Sequence, residues 1–359
     1  VLETTSDTEL MNNPRASVQQ VYGRIMEDLD EAITLLTGAS ARADKAEISV
    51  EVAYGLRARA NLLMGKWAAA ASDAAKAYGT SAPYSVADVS QPTFYNATDN
   101  AWIWGIVVTT EDYLAKTGIV NWPSNLCSLT GMGYTTAASA TDVAYRLINK
   151  NLWAKIPETD VRKGWWVDED LHSPVLDNGL GEDYAYYWAN GMFNGGTFPS
   201  KFSPYTNVKF GPDNGTFADT DNAQDWPLMR VEEMKLIEAE ALGRDNLATG
   251  KQKLEEFVRQ YRDPSYTCTA GSLDAFIDEV WFQRRVELWG EGFALFDILR
   301  LKKPIIRQGA NYPINSTFAE IAAEAPIMIY RIPEAETSVN SAITEADNNP
   351  AAMAPTPVN

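Results

Sequence analysis

The segment from Trp281 to Arg300, WFQRRVELWGEGFALFDILR, constrains the chain more than any other. Phe282, Val286, Trp289, Phe293 and Phe296 recur at alternating steps of four and three, the spacing of a single helix face. Arg284, Arg285, Glu287, Glu291, Asp297 and Arg300 crowd against that face. Ionisable side chains beside an aromatic stripe are seldom buried unless paired. The segment is therefore read as a buried ion-pair network that locks helices together, with a catalytic carboxylate pair as the alternative.

The same periodicity marks further helices. Val18, Tyr22, Ile25, Leu29, Ala32 and Leu36 form an amphipathic stripe, and Ser17 with Gln20 resembles a capping box at its start. Ala53, Leu56, Ala60 and Leu63 mark a second helix. After a turn at Gly65-Lys66, Trp67, Ala71, Ala74 and Tyr78 mark a third. Alanines let two helices approach closely while one large ring plugs the gap, as in tetratricopeptide-type hairpins. A second hairpin is expected from Arg230 to Tyr261, with Gly250-Lys251 at or near its turn. A further helix is expected over Thr141 to Trp153.

Between the hairpins, from about Ser81 to Trp226, the helical period fades and Gly, Asn, Pro, Trp and Tyr accumulate. Trp102 and Trp104 alternate with apolar neighbours as a short strand whose rings belong to the core. The fold class expected is mainly α, with TPR-like hairpins in an alpha-alpha superhelix, a loop-rich ligand-binding region and minor β. All 359 residues are taken as one domain. Segments 15–80 and 228–300 are its scaffold, 81–227 its binding region and 301–359 its closing segment.

Composition narrows the function. A net charge of −18 disfavours nucleic acid and anionic lipid as partners. No apolar run is long enough to span a bilayer, and the opening VLETTSDTELMNNPR is too polar for a signal peptide. Cys127 and Cys268 match no metal site; they either form one disulfide or stay as buried thiols. His172 is the only histidine and sits in a polar, loop-like stretch, so a Ser-His-Asp or Cys-His arrangement has little support. A glycosidase needs two flanking carboxylates that the sequence does not pair. Asp213, Asn214, Asp219, Asp221 and Asp225 are oxygen-rich, but their spacing is not an EF-hand; a solvated turn is the preferred reading over calcium, and no cofactor is expected.

Flat apolar rings beside hydrogen-bonding groups are what a sugar needs. Two clusters qualify. One is KGWWVDED, with Trp165 and Trp166. The other is GEDYAYYWANGMFNGG, with Tyr184, Tyr186, Tyr187, Trp188, Asn190 and Phe193. Trp122 is an intermediate candidate. Against each ring stands the alternative that it fills a core beneath long loops.

An ordered set of motifs resembles the SusD/RagB family. Arg285, Glu287, Leu288, Glu291, Gly292, Asp297 and Arg300 fall on its late signature, with departures at Gln283 or Arg284 and at Ala294. Arg15, Ser17, Asp28, Leu29 and Ala32 match an early segment. Arg57, Ala58 and Arg59 with Gly65-Lys66-Trp67 are similar to its first hairpin. Asp160-Val161-Arg162-Lys163, Asn207-Val208-Lys209-Phe210, and Arg230, Glu233, Leu236, Ala239, Glu240 and Ala241 follow in order. Ile332, Pro333, Glu336, Asn340, Asn349 and Pro350 match the closing elements.

The resemblance implies a lipid-anchored protein on the extracellular face of the outer membrane. Such a protein captures oligosaccharide without cleaving it, as the lid of a SusC-like TonB-dependent transporter. Members carry a considerable portion ahead of the Arg15 segment, opening on a lipoprotein cysteine. That anchor and part of the binding surface are expected to be absent from this chain. Two alternatives stay open: a RagB-like peptide binder, and a TPR-type protein scaffold without a small ligand.

Overall fold

The computed structural model describes residues 11–113, 115, 126–127, 146–181, 202–215, 223–353 and 355–358. The main elements in chain order are α1 (Val18–Leu36), α2 (Val50–Leu63), α3 (Trp67–Tyr78), β1 (Trp102–Ile106), α4 (Pro174–Leu180), β2 (Trp226–Arg230), α5 (Val231–Asp245), α6 (Leu247–Tyr261), α7 (Leu273–Glu287) and α8 (Ala294–Arg300). They fall into two compact units, residues 1–35 with 293–359, and residues 36–292. The architecture is mainly helical, and the named strands of the described residues form one two-stranded sheet.

In the first unit α1 begins at the expected capping box. The Gln20 amide donates to Ser17 Oγ at 3.2 Å, and the Ser17 amide donates to Gln20 Oε1 at 2.8 Å. Ile33 is buried, but Val18 and Leu35 are 73% and 71% exposed. The segment before α1 is stitched to the C-terminal segment. Arg15 donates to the Asp347 carbonyl at 2.7 Å and to Asn349 Oδ1 at 3.0 Å. Asn340 donates to the Asn13 carbonyl at 2.8 Å and accepts from the Asn13 amide at 3.1 Å. These bonds give the arginine and the two asparagines of the early and closing motifs a structural task.

In the second unit α2 and α3 pair as a hairpin, and α5 packs against both. Ala58, Ala70, Ala71, Ala74 and Ala77 meet Met229, Met234 and Ile237 there. Two bidentate ion pairs fix the arrangement. Arg57 grips Asp73 of α3 at 2.8 Å through both nitrogens, and Arg59 grips Glu233 of α5 at 2.7 and 2.6 Å. Fork-to-carboxylate geometry makes such pairs specific as well as strong. Gly65 adopts φ of +71° at the hairpin turn.

The α5–α6 hairpin turns at Asn246, whose side chain caps α6 by accepting from the Thr249 amide. Gly250, expected at or near the turn, lies inside α6 instead. A Cβ there would stand 2.3 Å from Gly243 Cα and 2.8 Å from the Ala239 carbonyl oxygen. The glycine exists for close backbone approach of two helices. Gly250→Ala is expected to cost about 1–3 kcal/mol through overpacking, although alanine is the better helix former by about 1 kcal/mol. A urea melt that shows the variant as stable as wild type would contradict this.

Strand β1 forms as expected and pairs antiparallel with β2, which the periodicity does not mark. The helix expected over Thr141 to Trp153 is corrected: Leu147 makes an isolated bridge to Thr206, Asn149 caps, and only Lys150–Trp153 is helical, with 141–145 outside the described residues. The opening stripe is corrected too. Helix α7 ends at Glu287, Gly290 and Gly292 take φ of +82° and +89°, and α8 starts at Ala294. Two left-handed glycines break the helix. Val286 is fully buried, whereas Phe296 is 63% exposed.

The described part of the middle region packs a core from Phe94, Trp102, Trp165, Trp166, Phe202 and Phe210, joined by Val286 of α7. Isolated bridges from Thr93 to Phe210 and from Trp166 to Asn207 staple it.

Candidate functional site

Trp165 and Trp166 are corrected as ligand contacts. Their relative exposures are 0% and 1%, so neither ring can stack on a sugar. Trp165 Nε1 donates to the Val89 carbonyl at 3.0 Å, and the ring meets Phe94 edge-on at 5.5 Å. Trp166 meets Trp289 edge-on at 5.7 Å. Large rings with apolar neighbours gain by burial; Trp165 also finds a polar partner, whereas the buried Trp166 Nε1 has none among the described residues. Trp102 is buried as expected, and its Nε1 donates to Tyr84 Oη at 2.7 Å; Trp104 is only half-buried. Trp122, Tyr184, Tyr186, Tyr187, Trp188, Asn190 and Phe193 lie outside the described residues.

Of the six charges named in the opening segment, Glu287 and Glu291 enter a buried network with partners from distant segments, while Asp297 pairs with Arg300 at 2.8 Å. Arg162, Lys209, Arg230 and Arg262 face Asp160, Glu232, Glu287 and Glu291, and the side chains of all eight are buried. Four positive and four negative side chains leave no net charge. Glu287 stands in the middle. It accepts from Arg262 at 2.8 and 2.9 Å, and from Arg162 and Arg230 at 3.4 Å. Glu291 receives both Arg230, at 2.8 Å, and Lys209, at 2.6 Å. Arg162 holds Asp160 bidentately and reaches Gln283 at 2.5 Å. Gln283, one of the two positions where the chain departs from the acid of the resembled pattern, thus still serves as an acceptor.

The electrostatics follow from burial set against pairing. Burial alone would raise the Glu287 carboxyl, but the guanidiniums of Arg262, Arg230 and Arg162 outweigh it and hold it far below the usual glutamate range. Burial dominates at Lys209 and lowers its ammonium to about 8, with Glu291 opposing. That ammonium lies 4.9–5.0 Å from the ring centres of Phe94, Trp165 and Phe210. Such cation–π contact gives Trp165 a structural role beneath the network.

The network also fixes the floor of a surface cleft. Tyr84 donates its amide to Glu232 Oε1 at 2.9 Å and accepts at its carbonyl from Arg262 at 2.9 Å. Its hydroxyl donates to Asp99 Oδ2 at 2.5 Å. Around it Asp88, Gln91, Thr93, Tyr95, Asp99 and Gly215 line a cavity of about 280 Å³. This is near the lower end of small-ligand pockets, roughly 300–1,000 Å³. Tyr95 is half-buried and lies against Gly211, where a Cβ would stand 2.6 Å from the ring. Burial, then the Asp99 and Asp213 carboxylates, raises the Tyr95 phenol, which keeps its proton at neutral pH. Sequence reasoning missed this cleft. The Ser85-x-x-Asp88 capping pattern between two tyrosines was its visible trace, and the capping box is formed.

Asp225, one of the oxygen-rich candidates, spends its carboxylate on the backbone. It accepts from the Ala97 and Val108 amides, each at 2.8 Å. Asp219 and Asp221 lie outside the described residues, among which no group of three metal-ligating side chains occurs. Cys127 and Cys268 are buried free thiols, and His172 is exposed. No helix of the described residues is long and apolar enough to cross a membrane.

Comparison with known proteins places this architecture. The SusD family profile matches residues 135–350, more than half of the chain, and the chain belongs to the SusD/RagB family. No curated protein sequence matches it. Among solved structures, a SusD-like carbohydrate binding protein from Bacteroides vulgatus ATCC 8482 is 22% identical with a TM-score of 0.72; the match covers 97% of this chain and 70% of that one. A SusD superfamily protein from Bacteroides thetaiotaomicron VPI-5482 is 20% identical, with a TM-score of 0.69 and coverage of 98% and 70%. Another from Bacteroides vulgatus is 22% identical, with a TM-score of 0.67 and coverage of 96% and 68%. At these identities the likeness is one of fold.

Proposed function

We propose that the chain is the oligosaccharide-capturing part of a cell-surface, lipid-anchored outer-membrane protein. It binds glycan without cleaving it and passes it to a SusC-like TonB-dependent transporter. The family match over residues 135–350 carries this reading. The fold it shares with a protein described as SusD-like and carbohydrate binding supports it, as does a polar, tyrosine-bearing cleft on a rigid frame. Trp122, Tyr184, Tyr186, Tyr187, Trp188, Asn190 and Phe193 are the proposed additional contacts to the glycan.

Calorimetry of the full-length protein against hexasaccharides of glucose, xylose and mannose tests the reading. Saturable heat with at least one is expected. A flat titration with every one of them, together with heat from a peptide library, would replace glycan with peptide as the cargo. Co-purification of a TonB-dependent transporter from native membranes tests the partnership.

A further inference from the structure

We propose that the Tyr84–Tyr95 cleft is a selective subsite for one uncharged sugar residue and rejects uronate and other acidic sugars. The inference rests on the glycan reading above and names the chemistry of its ligand. Four polar groups in the cleft have unused hydrogen-bonding capacity. Asp88 uses Oδ2 for the Ser85 amide and hydroxyl, at 2.9 and 2.7 Å. Asp99 uses Oδ2 for the Tyr84 hydroxyl. Among the described residues no donor reaches Oδ1 of either carboxylate, and neither the Gln91 amide nor the Tyr95 hydroxyl has a partner.

A ligand that satisfies this set must present several donors and a few acceptors within one small volume. Vicinal hydroxyls do so, because each carboxylate oxygen takes a hydroxyl proton in a charge-assisted bond. The Tyr95 ring lies against Gly211 and lines the cleft, where it contributes a small apolar area to a mostly polar wall. The volume of about 280 Å³ suits one ring and not a branched chain.

Charge sets the selectivity. Among the described lining residues two carry negative charge and none carries positive charge. An acidic sugar brings a carboxylate toward Asp88 and Asp99, and the Lys45 ammonium beside Asp99 is already engaged by the Asp99 carbonyl. Like charges brought together at a partly dry surface disfavour that partner strongly. The net charge of −18 adds to the field in the same sense.

The test uses the full chain and four variants: Gln91→Ala, Tyr95→Ala, Tyr95→Phe and Asp99→Asn. Gln91 is exposed, so Gln91→Ala keeps the fold. Neutral glucose, xylose and mannose hexasaccharides and hexagalacturonate are titrated into each. The expected result is that the best neutral hexasaccharide loses about tenfold in affinity in Gln91→Ala and in Asp99→Asn, the loss of one charge-assisted or amide hydrogen bond. Tyr95→Ala is expected to lose more than Tyr95→Phe. Hexagalacturonate is expected to bind wild type at least tenfold more weakly than its best neutral counterpart. Neutral binding that is unchanged in all four variants overturns the subsite and leaves the glycan reading standing. Equal or tighter hexagalacturonate binding overturns the charge selectivity. Absence of any glycan binding by wild type overturns subsite and glycan reading together.

Discussion

Glu287→Ala is expected to bring the chain to the edge of unfolding. The substitution leaves the guanidiniums of Arg162, Arg230 and Arg262, all fully buried, without their shared carboxylate. Breaking a buried pair by removing one partner costs about 3–5 kcal/mol, because the remaining charge stays dry and uncompensated. Domains of this kind hold only about 5–15 kcal/mol in total, so the variant loses a large share of its stability. Glu324→Ala serves as the control, since Lys302 and Glu324 pair while 66% and 59% exposed. Exposed pairs contribute under about 1 kcal/mol. Urea denaturation of both variants checks the contrast; equal midpoints would show that the network contributes little.

The same network makes stability sensitive to acid, and the sign can be worked out. Glu287 and Glu291 lie below their ordinary value of 4.5 in the folded chain. As pH falls through that value the unfolded chain takes up protons first, so the stability these groups provide is complete above about pH 4.5 and fades below it. Glu232 is raised by burial and acts in the opposite sense, offsetting part of the loss.

Trp165→Ala is the second large effect. Removing a ring at 0% exposure takes away its packing against Phe94, its bond to Val89 and one face of the Lys209 cage. Truncations of buried aromatics cost about 3–5 kcal/mol. Were Trp165 a sugar platform, the dominant consequence would be lost glycan affinity with little change in folding. Here the expected outcome is the reverse. The urea midpoint falls steeply, while Trp165→Phe, which retains most of the packing, keeps its glycan affinity within about twofold. A stable Trp165→Ala variant that no longer binds glycan would restore the ring as a ligand contact.

The behaviour of Trp165 marks the limit of what the sequence could say. Helical periodicity is local, so α1, the α2–α3 hairpin and the α5–α6 hairpin were legible, down to the Ser17–Gln20 box. Pairing of the charges near Glu287 was legible as well, because buried charge has few affordable alternatives. Their partners at Arg162, Lys209 and Arg262 were not, since long-range contacts leave no periodic trace. A tryptophan looks the same in a sequence whether it faces solvent or core. The KGWWVDED pair turned inward because Asn207 bridges Trp166 and the Val89 carbonyl takes the indole of Trp165. Gly250 illustrates a second ambiguity. Glycine serves turns and close helix contacts alike, and only the 2.3 Å at which a Cβ on Gly250 would stand from Gly243 Cα separates the two. The cleft was illegible for a third reason. Tyr84, Tyr95, Gly179 and Gly215 are distant in sequence and meet only in the fold, where Thr93 bridges Phe210.

Hydrogen–deuterium exchange of the full chain, with and without its best neutral hexasaccharide at saturation, tests the account most directly. Glycan is expected to slow exchange in residues 84–99 and 211–215, and to leave α5, already locked by the network, unchanged. Saturating glycan that protects neither segment, or that protects only the buried frame around Trp165 and Glu287, would contradict it.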